Sequence, residues 1–236
     1  MEMQFIYADN AATTKMSDVA VKAMLPYLQE TYANASSVHI LGQRSAAALF
    51  SARQQLAQLL HCAPKELFFT SGGSEADNQA LLSAAAIGRQ QGKRHIISTA
   101  MEHHAILHTL EALEEQGFTV TLLRPQKDGI VTAAQVAAAL TDETCLVSVM
   151  YANNETGAIQ PIKEIGALCR QRGVLFHTDA VQAAGHVDID VQRDNIDMLS
   201  LSAHKFHGPK GVGLLFAKSS IQLTSLIRGG GQERGK

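Results

Sequence analysis

Two charged side chains frame the chemistry this sequence could do. Lys205 stands in Ser200-Leu-Ser-Ala-His-Lys-Phe-His-Gly-Pro-Lys210, fed by the run Asp197-Met-Leu-Ser-Leu201 and followed by a Gly-Pro turn. Asp179 stands in His177-Thr-Asp-Ala-Val-Gln182, also just past an apolar run. One helix-and-strand unit separates the two, so neighbouring strand ends would bring amine and carboxylate together. In open α/β sheets ligands gather at the carboxyl ends of the strands. An amine able to form a Schiff base, beside a carboxylate that keeps a pyridine nitrogen protonated, is the pair that pyridoxal 5'-phosphate (PLP) requires. Taken singly, Lys205 reads as a solvated charge and Asp179 as a helix cap.

Three further segments change those readings. In Thr70-Ser-Gly-Gly-Ser-Glu-Ala-Asp77 a strand ends, two glycines turn the chain and a helix starts at Ser74. Free amides and the positive end of the helix dipole make a phosphate site there, although a capped helix start is the plainer alternative. The segment lacks the Lys-Ser/Thr ending of a nucleotide P-loop, which argues against ATP. Met101-Glu-His-His-Ala105 offers an imidazole that could stack on a planar cofactor or move protons near neutral pH. His103, His104 and His108 also raise a metal reading, but no cysteine or carboxylate cluster completes it. Tyr151-Ala-Asn-Asn-Glu-Thr-Gly157 follows a buried strand, and its amides suit a phenolic oxygen or a substrate carboxylate; in isolation it is an Asn-rich turn. All five segments suit one phosphorylated, aromatic, aldehyde-bearing cofactor.

Strand and helix signals alternate along the chain, which predicts an α/β domain on a mostly parallel sheet. Strands are expected over 66–70, 94–98, 118–123, 144–150, 174–178 and 198–202, with 211–216 returning antiparallel. Helices are expected over 74–86, 103–116, 133–140 and 161–172, the last with Pro161 in its first turn and Gly173 just past its end. Before residue 66, 9–14 reads as an irregular arm, 18–32 as an amphipathic helix, 34–40 as a polar loop and 42–60 as a long helix.

Composition narrows the function classes. With 236 residues, 46 % apolar and 18 % charged, the chain can bury a full core rather than stay disordered. A net charge of −2 leaves no basic footprint for nucleic acid or an anionic membrane. The start Met1-Glu-Met-Gln-Phe-Ile6 has no cationic leader pattern, and no apolar stretch reaches spanning length. Cys62, Cys145 and Cys169 do not form a disulfide framework, and a cytoplasmic location fits.

With these segments in hand, the chain resembles the class V, fold-type I PLP enzymes, specifically the NifS/IscS-like cysteine desulfurases. The resemblance rests on Asp9-Asn-Ala-Ala-Thr-Thr14, Thr70-Ser-Gly-Gly-Ser-Glu75, Glu102-His103, Asn153-Asn-Glu-Thr-Gly157, Asp179-Ala-Val-Gln182, Ser202-Ala-His-Lys-Phe-His-Gly-Pro-Lys-Gly211 and Gly229-Gly-Gly-Gln-Glu-Arg-Gly235. It implies the large domain of a fold-type I PLP-dependent transferase, a mostly parallel sheet with one antiparallel strand flanked by helices. By the same resemblance Lys205 would hold PLP, Asp179 would pair with the pyridinium nitrogen, and His103 would stack on the ring and shuttle protons. Gln182 would bond the phenolic oxygen, with Asn154 near it and the substrate. Gly73, Ser74, Ser202 and His204 would hold the phosphate. The family often has alanine and threonine where Gly73 and Ser74 stand, and both exchanges keep the needed amide or hydroxyl.

The implied reaction converts L-cysteine to L-alanine and passes sulfur to an enzyme cysteine as a persulfide, for iron–sulfur cluster or thio-cofactor assembly. Implied partners are a second copy in a homodimer and a sulfur-acceptor or scaffold protein, with no direct nucleic acid, no membrane and no metal. The family's nucleophilic cysteine is expected beyond Lys236, in a carboxyl-terminal small domain absent from this sequence. That leaves 16–236 as the large domain, 1–15 as an arm belonging with the small domain, and the chain inactive alone. Cys62, Cys145 and Cys169 are expected to be structural. The alternatives are another class V PLP enzyme, an aminotransferase or selenocysteine lyase, or a non-catalytic module on the same fold.

Overall fold

Apolar runs of four and five residues, each stopped by a turn or a capped helix, build the sheet. The computed structural model describes residues 6–231 and 233–235; Met1–Phe5 of the arm, Gln232 of the glycine-rich motif and Lys236 lie outside the described residues. In chain order the elements are α1 (Asp18–Gln29), α2 (Ile40–Leu60), β1 (Leu67–Thr70), α3 (Gly73–Gln90), β2 (His95–Thr99), α4 (His104–Glu115) and β3 (Thr119–Leu123). They continue with α5 (Ala133–Ala139), β4 (Thr144–Ser148), α6 (Ile162–Arg172), β5 (Leu175–Asp179), β6 (Met198–Ser202), a 3-10 turn Ala203–Lys205 and β7 (Gly213–Ala217).

The strands form one sheet in the order β1-β7-β6-β5-β4-β2-β3. β7 runs antiparallel to both neighbours, and the other pairings are parallel. The carboxyl ends of β1, β2, β4, β5 and β6 therefore share one edge. Alternation along each strand feeds two apolar layers. Ile96, Leu146, Met198 and Leu215 pack with Ala80, Ala84, Ile106 and Leu110 of α3 and α4. Ile97, Val147, Phe176, Leu199 and Phe216 pack with Ile165 and Cys169 of α6, Val136 of α5 and Leu60 of α2.

Several boundaries differ from the sequence expectation for local reasons. α1 stops at Gln29 rather than 32, where the Thr31 N–H joins the Glu30 N–H on the Pro26 carbonyl instead of taking the next one along the helix. Its amphipathic pattern does not put it in the core, since none of its residues is buried and Val19 is 78 % exposed. α4 starts at His104 because His103 is its N-cap, its ring accepting from the Ala105 N–H. The strand expected over 144–150 ends at Ser148; Met150 and Tyr151 remain buried, which is why apolar continuity overran it. Gly173 caps α6 at φ 63, the left-handed conformation that favours glycine.

α6 lies so close to the loop before β6 that a Cβ on Gly166 would sit 2.0 Å from the Asp194 carbonyl oxygen. Backbone cannot yield as a side chain does. Gly166→Ala is therefore expected to destabilise the fold by about 1–3 kcal/mol, read as a lower denaturant midpoint.

Candidate functional site

The shared edge opens into a cavity of about 710 Å³. Gly73, Ser74, His103, Asn154, Asp179, Gln182, Ser202, His204 and Lys205 all line it. Asp179 is the last residue of β5 and Lys205 closes the turn after β6, so two adjacent parallel strands deliver the acid and the amine. Asp179 is buried at the cavity floor, and its Oδ1 accepts from the Val181 N–H at 2.9 Å. Burial pushes its carboxyl up to about 6, against the pull of that hydrogen bond and of Lys205. Burial also lowers the Lys205 ammonium from the usual lysine range, opposed by Asp179 and Asp9.

The arm closes over this pair. Lys205 Nζ donates to the Ala11 carbonyl at 2.5 Å, and Gln182 Nε2 donates to the same oxygen at 2.9 Å. Thr14 donates through both its N–H and its hydroxyl to the His204 carbonyl, while its hydroxyl oxygen accepts from the His207 N–H. The His204 ring meets the Thr13 hydroxyl at 3.0 Å. Segment 9–17 thus fixes the lysine-bearing turn from almost two hundred residues away, a placement that no local pattern encodes.

At the other end of the cavity, Gly73 opens α3 and is buried against β5 and β6. A Cβ on Gly73 would lie 2.7 Å from Val181 Cγ2 and 3.6 Å from Ser202 Cβ. The preceding Ser71 N–H is taken by the Glu75 carboxylate at 2.7 Å. Ser202, His204 and Lys210 line the same cavity as this helix start. Its free amides, two hydroxyls and cationic or titratable groups form a donor set suited to an anion.

His103 sits at the mouth. Because its Nδ1 accepts from the Ala105 N–H at 3.1 Å, the neutral ring carries its proton on Nε2. Burial first, then His104, Lys205 and His108, hold it below the usual histidine range. The His104 and His108 rings stack at 5.2 Å, and among the described residues no group of three or more His, Cys, Asp or Glu is arranged to hold a metal ion.

The two asparagines divide their work. Asn153 builds the turn: its Oδ1 accepts from the Glu155 and Thr156 N–H groups, and its Nδ2 donates to the Met101 carbonyl. Asn154 faces the cavity.

Sequence reasoning gave no role to Asp77, Glu102 or Lys210. Asp77 and Lys210 line the cavity. Glu102 ties two strand ends together, its Oε1 accepting from the Thr99 hydroxyl at 2.6 Å and the Met150 N–H at 2.9 Å, and burial pushes its carboxyl up to about 8. An acid directly before His103 and another in the first turns of α3 were the available signals. Cys145 and Cys169 are buried, Cys62 is half-buried, and none of the three lines the cavity. Burial raises their thiols to about 11, 12 and 12 respectively.

Known proteins share this sequence and fold. A profile of the family described as aminotransferase class-V matches residues 6–234. The cysteine desulfurase IscS of Clostridium botulinum (strain Kyoto / Type A2) is 52 % identical over 231 residues, covering 98 % of this chain and 58 % of that protein. The cysteine desulfurase IscS of Methanosarcina thermophila is 48 % identical over 233 residues, covering 99 % of this chain and 57 % of its own. This chain thus spans under two thirds of the length of these relatives. Among solved structures, SspA in complex with cysteine superposes with a TM-score of 0.93 at 41 % identity, over 97 % of this chain and 66 % of that one. A NifS-like protein superposes with a TM-score of 0.93 at 38 % identity, over 96 % and 62 %.

Proposed function

We propose, from the premise that this chain belongs to the aminotransferase class-V family, that it carries the cofactor-binding part of a PLP-dependent cysteine desulfurase. The substrate is L-cysteine, and the sulfur serves iron–sulfur cluster or thio-cofactor assembly through an acceptor or scaffold protein. One observation carries the reading: Lys205, Asp179 and His103 converge on a cavity whose far end is the amide-rich start of α3. The residues present fit the cofactor, with an amine for its aldehyde, a buried acid for its ring nitrogen and the amides at the start of α3 for its phosphate.

When bound, PLP supplies an electron sink for charge developing at the substrate α-carbon. Everything else falls to the chain. Lys205 would hold the cofactor and serve as the base for the substrate α-proton; its lowered pKa enlarges the free-amine fraction. Asp179 keeps a compensating negative charge at the floor. His103, neutral with its proton on Nε2, donates to or relays protons at the mouth. Gln182 and Asn154 would orient the phenolic oxygen and substrate, and Gly73, Ser74, Ser202 and His204 would hold the phosphate.

Sulfur must leave to a thiolate. Cys62, Cys145 and Cys169 all lie off the cavity with raised thiol pKa values, so the acceptor thiol is none of these three. Replacing each by alanine is expected to leave the absorption response of the PLP-loaded protein to L-cysteine intact. Loss of the response in any one variant with unchanged melting would contradict the assignment.

Exposed Val19 and Leu28 of α1, with Leu49 and Phe50 of α2, support a homodimer, since apolar surface of this extent calls for a partner. A cytoplasmic setting accords with three free cysteines. Among the described residues no helix is long and apolar enough to cross a membrane.

The deciding test is product analysis after L-cysteine is given to the PLP-loaded protein. A change in the cofactor absorption with L-cysteine but no alanine or sulfide is the expected result from this chain alone, because none of its three cysteines lines the cavity; sustained alanine and sulfide formation would overturn that expectation. A keto acid would assign an aminotransferase, preference for selenocysteine a lyase, and no cofactor response to any amino acid a non-catalytic module.

A further inference from the structure

Beneath the cavity the α3-facing side of the sheet changes character. Ile96, Leu146, Leu175 and Met198 form an apolar layer there. Two residues on along three of these strands, nearer the site, the same face carries Ser148 of β4, His177 of β5 and Ser200 of β6, all fully buried. The Ser148 hydroxyl meets His177 Nδ1 at 2.9 Å, and the Ser200 hydroxyl meets His177 Nε2 at 3.0 Å. Asp77, from the second turn of α3, completes the row. It is 1 % exposed, Ser200 approaches its carboxyl, and among the described residues its Oδ1 has no hydrogen-bond partner, lying 3.7 Å from His177 Nε2. Asp77 also lines the cavity with Asp179, the next residue on the same face of β5 after His177.

Two buried carboxyls that feel one another do not both ionise; one keeps its proton. Asp179 has the stronger claim to the charge, with the Val181 N–H and Lys205 beside it. Asp77 has neither and also faces Glu102, itself held protonated by burial. An imidazole buried this completely is neutral, so the row can satisfy itself in only two directions. With Asp77 protonated, its O–H donates to Ser200, Ser200 donates to His177 Nε2, and His177 donates from Nδ1 to Ser148. With Asp77 ionised, every donor reverses and His177 carries its proton on Nε2.

We propose that Asp77 is a positioning residue of the site, a neutral acid that feeds its proton into the Ser200–His177–Ser148 row and so confines the negative charge of the cavity floor to Asp179. The inference rests on the PLP reading for its purpose, because one localised charge is what a protonated ring nitrogen needs, but its state is fixed without the cofactor.

The test is 15N NMR of histidine-labelled full chain at pH 7 without cofactor, with His177 assigned by the loss of its signals in His177→Asn. The expected wild-type pattern is the Nδ1–H tautomer. Asp77→Asn, whose amide donates to Ser200 as the protonated acid does, should keep that tautomer and bind PLP within about twofold of wild type. Ser200→Ala cuts the row and should give mixed tautomers. An Nε2–H tautomer in the wild type overturns the proposal, as does a loss of PLP affinity in Asp77→Asn matching that of Asp179→Asn. If the wild type takes up no PLP, the proposed function fails, and the tautomer still decides the state of Asp77.

Discussion

Lys205→Ala is expected to remove the visible absorption band that PLP gives with the wild-type chain, and to slow solvent exchange of the L-cysteine α-proton about a thousandfold. That magnitude is the range for losing a positioned acid–base group. Stability should hardly change, because the amine is half-buried and its one hydrogen bond among the described residues is to the exposed Ala11 carbonyl. The combination of a lost band and unchanged melting separates a cofactor anchor from a structural lysine. Persistence of the band would move the anchor to another amine, and Lys210, which also lines the cavity, is the residue to replace next.

Asp179→Asn should act in opposite directions on stability and on cofactor binding. The folded-state carboxyl titrates at about 6, above its ordinary value of 3.8, so the folded chain holds this proton more tightly than the unfolded chain. Its contribution to stability is therefore complete below pH 3.8 and lost as pH rises through 6. In the cofactor-free chain the wild type should weaken across that window while Asp179→Asn does not. The variant should be more stable at pH 8 by about 1–3 kcal/mol and close to wild type at pH 4. Asparagine keeps an oxygen for the Val181 N–H, so the comparison isolates the charge. PLP affinity should fall in the same variant, because the acid that costs stability in the empty chain is the one that compensates the ring nitrogen. Equal melting of the two proteins at pH 8 would show that Asp179 is not held against burial as described.

Much of the sheet was legible because its strands are short, apolar and cleanly punctuated. Thr144 to Ser148 and Met198 to Ser202 lie where continuous apolar runs are expected in a parallel sheet covered on both faces. The single antiparallel strand followed from the turn after Lys205. Candidate site residues were readable for a related reason. A parallel sheet puts the residues after its strands on one edge, so polar segments following apolar runs converge whatever their separation in sequence.

What stayed hidden depends on contacts between distant parts of the chain. Period and composition gave α1 an apolar face, but only the tertiary structure leaves that face uncovered in this chain. The arm read as irregular, and its grip on Lys205, His204 and His207 arises from backbone carbonyls and hydroxyls with no sequence signature. His177 looked like one more residue of a buried strand, and Asp77 like a helix residue. Their pairing required β4, β5 and β6 in register beneath the start of α3. By itself the sequence determined the kinds of groups present and the edge of the sheet where they gather. The tertiary structure decided which buried acids compete for a proton, because desolvation and charge coupling depend on ångström separations through space that position along the chain does not contain.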